Sequence, residues 1–109
     1  MKQYTNKEQT QHLIELGFPR PESISEVNYY DEAYTTETEF EYDYSIGELI
    51  ELLPKELKYS GKLCVDYIGN LWQVTYDEDF EREINQDEEL IDALYEACVE
   101  LKNEGVIWI

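Results

Sequence analysis

Glu37, Glu39, Glu41 and Asp43 occupy alternate positions, and their type and spacing suggest chemistry. Alternate residues of an extended strand share a face, so the four carboxylates form one acidic strip. Such a strip attracts a basic partner or a cation. A second acidic run comprises Asp77, Glu78, Asp79, Glu81 and Glu83. It lacks the sixth-position glycine and the closing spacing of a calcium loop, so it reads as a solvated connection. Paired carboxylates also hydrolyse glycosides, but only when two of them face a sugar cleft at a defined separation. A chain this acidic offers such pairs by chance.

The other reactive residue types are sparse. His12 is the single histidine, and no Ser, Cys or carboxylate stands beside it in a recognisable catalytic order. Cys64 and Cys98 have neither metal-ligand spacing nor a close partner, and two buried reduced thiols are expected. The sequence carries no phosphate-cradling glycine loop, zinc cluster or nucleophile elbow. It therefore offers no catalytic residue, no metal ligands and no cofactor site.

Charge narrows the partners. Twenty-six acidic residues face eight basic ones, for a formal net charge of −18. That potential repels nucleic-acid backbones and anionic membranes. Residues 22–53 contain ten acidic residues and no Lys or Arg. No secretory signal opens the chain and no apolar run reaches membrane-spanning length, so a cytoplasmic location is the default expectation. The length of 109 residues suits a single compact domain, 1–109.

Several elements must position these residues. Residues 62–77, KLCVDYIGNLWQVTYD, read as two strands joined by Gly69-Asn70. Pairing across that turn sets Ile68 opposite Leu71, Tyr67 opposite Trp72, Val65 opposite Val74 and Leu63 opposite Tyr76. Leu63, Val65, Tyr67, Trp72, Val74 and Tyr76 then share an apolar face that needs a cover. Residues 34–44 alternate too: Tyr34, Thr36, Thr38, Phe40, Tyr42 and Tyr44 face one way and the acids the other. This predicts a strand with a packed aromatic side and a wet acidic side. The missing positive groove argues against a platform for stacking nucleic-acid bases. Residues 24–30 form a strand or an approach to one, with Val27 and Tyr29 on one side and Tyr30 on the other; residues 31–33 form a bend.

Three helices are expected. Thr5 and Glu8 form a capping box for residues 6–16, which stop at Gly17. Ser45 and Glu48 form another, ahead of Ile46, Leu49, Ile50 and Leu53. Residues 87–104 carry the stripe Leu90, Ile91, Leu94, Cys98 and Leu101, capped by Asn85 or Asp87 and closed by Gly105. The apolar ending Val106, Ile107, Trp108 and Ile109 docks on the core or completes a homodimer interface anchored by Trp108. The expected class is α+β: a small antiparallel sheet with one face packed by about three helices.

YSIGELIELLP at 44–54 and LIDALYEACVELKNEG at 90–105, together with the opening helix, resemble small uncharacterised proteins of gut Bacteroidetes genomes, many in prophage-like regions. The resemblance brings no catalytic residues with it. It implies an accessory protein from a mobile element. Combined with the charge, it favours a small acidic protein-interaction module that meets a basic protein. The candidate contact residues are Glu37, Glu39, Glu41, Asp43, Tyr29, Tyr30 and Trp108. The alternatives are a DNA-mimic inhibitor of a basic nucleic-acid-binding protein and a small carboxylate-dependent hydrolase.

Overall fold

The structure, a computed structural model, describes residues 1–32, 35–57, 61–77 and 82–107; at 30–32, 35–37, 57, 77 and 82–86 it describes the backbone alone. Its elements in order are α1 (Lys7–Glu15), β1 (Ile24–Glu32), β2 (Thr35–Tyr42), α2 (Ile46–Leu52), β3 (Glu56–Leu57), β4 (Gly61–Ile68), β5 (Leu71–Asp77), β6 (Arg82–Asp87) and α3 (Leu90–Asn103). The fold is α+β, as the patterning predicts. The strands form two antiparallel sheets rather than one: β3-β4-β5-β6, and β1-β2 by itself. Among the described residues, no helix is long and apolar enough to cross a membrane.

The β4–β5 hairpin has the predicted register, residue for residue, from Leu63↔Tyr76 to Ile68↔Leu71. Its turn places Gly69 and Asn70 at φ of 60° and 66°. Two successive positive φ values define the turn whose twist suits a two-residue hairpin. An added Cβ at Gly69 would meet nothing within 4 Å, so only the backbone conformation restricts that position.

Burial along this hairpin is graded. Val74 and Tyr76 are fully buried, and Leu63, Val65 and Trp72 are partly buried against the core. Tyr67, at the far end, is 57% exposed and lies against Trp72 with ring centroids 5.0 Å apart. The cover explains the gradient. α3 packs on β5 and β6 and against α2, so burial fades toward the turn.

α3 is the centre of the core. Ile91, Leu94, Ala97, Cys98 and Leu101 are fully buried, meeting Leu49 and Leu53 from the α2 segment and Leu13 and Phe18 from the α1 segment. The amphipathic stripe explains the burial. Gly105, at φ 77°, ends the helix, and the Val106 amide donates to the Leu101 carbonyl at 3.0 Å. Ile107 is then buried in the core cluster, so the first half of the apolar ending docks on its own chain. Trp108 and Ile109 lie outside the described residues.

Several local expectations require correction. Asn6, not Thr5, caps α1: its side chain accepts from the Gln9 amide at 2.8 Å, and Gln9 Oε1 accepts from the Asn6 amide at 3.0 Å. Thr5 serves a buried polar cluster instead. The Ser45–Glu48 box forms as predicted. Residues 82–87 form a strand rather than a solvated connection and a helix start. Pairing with β5 supplies what the sequence pattern of 82–87 lacks. α3 consequently begins three residues later than expected, after Glu89, with no side-chain cap.

Both cysteines are free. Cys98 is buried and donates a weak bond to the Leu49 carbonyl at 3.8 Å, whereas Cys64 is partly exposed. Burial pushes the Cys98 thiol up to about 12. A thiol reagent at pH 8 is therefore expected to modify Cys64 in the native protein and Cys98 only after denaturation. Two rapidly reacting thiols in the folded protein would contradict this packing.

Candidate functional site

The β1–β2 ribbon is the candidate site. It pairs from Ile24↔Tyr42 to Glu32↔Thr35. Cross-strand partners share a face, so Val27 lies beside Phe40 and Tyr29 beside Thr38, with Ile24 and Tyr42 at the root. The aromatic stripe expected in the core is not there. Phe40 and Tyr42 are each 46% exposed and Tyr29 is 72% exposed. Of the stripe's described side chains only Tyr44, beyond the end of the strand, is buried, and its hydroxyl donates to the Pro19 carbonyl at 2.5 Å; Tyr34 and the Thr36 side chain lie outside the described residues.

The cause is the supply of covering elements. The three helices offer one apolar stripe each, and the core gathers all three around the four-stranded sheet. Among the described residues no helical stripe remains to cover a second sheet. The chain measures 64 × 32 × 18 Å with a radius of gyration of 16.5 Å. A compact chain of about 100 residues would have a radius near 13 Å. A nine-residue strand spans about 30 Å, so an outward-running ribbon accounts for much of the long axis.

The reverse face is acidic. Glu26 stands opposite Glu41, and Asn28 opposite Glu39. Glu39 is exposed and Glu41 partly so. The hydrogen bond between the Glu26 and Glu41 carboxyls, reinforced by their mutual repulsion, raises the Glu26 pKa above the usual carboxylate value. Two like charges set side by side retain a proton more readily than one. Lys7 Nζ lies 3.4 Å from Glu41 but is 58% exposed, so it offsets that crowding weakly.

Asp43 has a different role from the other acids. It is only 4% exposed, at the root of the ribbon. One carboxylate oxygen accepts from Lys7 Nζ at 2.8 Å and from Ser25 Oγ at 2.5 Å. The other accepts from the Thr10 hydroxyl. Because Thr10 donates there, Thr5 donates to Thr10 at 2.7 Å, and the Tyr44 amide donates to Thr5 Oγ1 at 3.0 Å. Burial alone would raise the Asp43 pKa, but the bonds from Lys7, Ser25 and Thr10 together hold it below its ordinary value. This network ties α1, the N-terminal segment and both strands together, and no buried side-chain polar atom among the described residues lacks a partner.

The seven residues proposed from the sequence therefore separate. Tyr29, Glu39 and Glu41 belong to the ribbon. Tyr30 and Glu37 pair with each other in its backbone, while their side chains lie outside the description. Asp43 is a buried anchor, and Trp108 lies outside the described residues. Sequence reasoning missed Glu26, Ile24, Val27, Phe40 and Tyr42 as surface residues. Their alternation was visible, but a packed strand and an uncovered one alternate alike.

Among the described residues the remaining reactive groups assemble no second site. His12 Nδ1 lies 2.5 Å from the Tyr95 hydroxyl, joining α1 to α3. No three His, Cys, Asp or Glu among the described residues stand together as a metal site. An open cleft of about 300 Å³ beside α2 holds Arg20, Tyr44 and three carboxylates, of which Glu48 is committed to the Glu22 and Ser45 amides. No protein-family model, curated protein or solved structure matches the chain.

Proposed function

We propose that this chain is an acidic protein-interaction module whose contact element is the β1–β2 ribbon, and that its partner is a basic protein. One observation carries the reading: a two-stranded ribbon presents Tyr29, Phe40 and Tyr42 to water on one face and Glu26, Glu39 and Glu41 on the other. Such ribbons are marginal unless something covers them. Exposed aromatics that stability of the body does not require are a recurrent mark of binding surfaces. The net charge of −18 steers a basic partner toward the arm and repels a nucleic-acid backbone. A mobile-element origin, which the resemblance drawn from the sequence implies, would suit an accessory protein that acts on a host component.

The test compares capture from the native host by the wild-type chain, by Phe40→Ser with Tyr42→Ser, and by Glu39→Gln with Glu41→Gln. A basic protein retained by the wild type should be lost with the first pair. With the second it should be weakened and lose much of its salt dependence. Equal retention by all three folded proteins would refute the assignment of the arm.

A further inference from the structure

We infer that the ribbon, if it is the contact arm just proposed, takes its partner by strand addition: the outer edge of β2 receives an extended segment in which basic residues alternate with apolar ones. The two faces of the ribbon make incompatible demands on most partners. One is apolar, with Val27, Tyr29, Phe40 and Tyr42; the other is acidic, with Glu26, Glu39 and Glu41. A helix or a globular surface laid on one face leaves the other unanswered. A third strand sends its side chains alternately to both faces. Its basic residues would stand directly opposite Glu39 and Glu41, and its apolar residues opposite Thr38, Phe40 and Tyr42.

The geometry favours β2 over β1. In a two-stranded sheet both strands are edges. β1 carries an irregularity at Ser25, where the register shifts between Ile24 and Glu26. Ser25 Oγ sits at that bulge, giving its one proton to Asp43 at 2.5 Å and lying 3.2 Å from the Glu41 carbonyl. A bulge bends an edge away from further pairing. β2 runs through all eight residues, Thr35–Tyr42, without such a break. Its alternate carboxylates would oppose those of a second copy, so the charges that deter self-pairing select a basic strand. The crowded Glu26–Glu41 pair points the same way: the two carboxyls stand directly opposite each other across the ribbon, and a cation added beside them would ease their mutual repulsion.

The experiment titrates the full-length, isotope-labelled chain with three synthetic peptides, each as long as β2. One alternates lysine and valine, one has the same composition in two blocks, and one is the alternating peptide N-methylated at every second amide. The alternating peptide is expected to bind about tenfold tighter than the block isomer, because only it places each lysine opposite a carboxylate. It should slow exchange of the alternate amides within residues 38–42 of β2 that point away from β1. N-methylation should abolish that protection, because it removes the ladder donors and leaves the charge. Equal affinity of the alternating and block peptides would overturn strand addition. So would protection confined to β1, perturbation of Tyr29 and Phe40 without amide protection, or protection of β2 by self-association before any peptide is added. If the block peptide binds as well as the alternating one but loses affinity with Glu39→Gln and Glu41→Gln, the acidic arm stands and only strand addition fails. If none of the peptides responds to those substitutions, both readings fail.

Discussion

Tyr76→Ala is expected to destabilise the protein by about 3–5 kcal/mol, whereas Phe40→Ala changes stability by less than about 1 kcal/mol. Both residues are large aromatics on alternating strands, and the sequence alone assigns both to the core. Tyr76 is fully buried, and its hydroxyl donates to the Pro54 carbonyl at 2.8 Å. Truncation removes the ring's contacts, leaves a cavity under α3 and takes away the hydrogen bond to that carbonyl. Phe40 stands opposite Val27 across the ribbon and is 46% exposed. Its loss forfeits one cross-strand pair. Urea unfolding of the two variants measures the difference directly, and comparable losses would place the two sheets in one core.

The second large effect is at Asp43. Asp43→Ala is expected to cost about 2–3 kcal/mol, because hydrogen bonds to a charged group are among the strong ones and the substitution removes those from Lys7, Ser25 and Thr10 together. Lys7→Met should cost less than about 1 kcal/mol, since the amine is mostly in water. The pH dependence follows from direction. The folded pKa of Asp43 lies below its ordinary value of 3.8, so the carboxylate's contribution is present above about pH 4. It fades as pH falls through the lower, folded value. The stability gap between wild type and Asp43→Asn should therefore narrow in acid. Lys7, whose pKa is raised above 10.5 by its bond to Asp43, contributes below that value and loses its contribution as pH rises through the folded one. A gap that widened below pH 4 would contradict the anchoring role.

Sequence patterning captured what local chemistry determines. The β4–β5 register followed from alternation and a turn that needs positive φ. The α3 core stripe followed from its 3.6-residue period, and the α2 cap from Ser45 and Glu48. The missed features depend on distant segments. Residues 82–87 become a strand because β5 offers an edge, which their own composition does not announce. Thr5 leaves the cap for the Asp43 network because Tyr44 and Thr10 arrive from elsewhere. The exposure of Phe40 and Tyr42 depends on a count of available covering surfaces. The acidic arm was legible as an alternating strip; that Asp43 belongs to its root, and the other acids to its surface, required the fold.

Solvent access to the ribbon decides whether it stands free of the body. A neutral gadolinium chelate added to the protein, at a concentration where light scattering gives one chain per particle, broadens the resonances of side chains that face water. Strong broadening is expected for Tyr29, Phe40 and Tyr42 and almost none for Tyr44 and Tyr76. Protection of Phe40 and Tyr42 to the level of Tyr76 would mean that the ribbon lies against the body, and the arm would not exist.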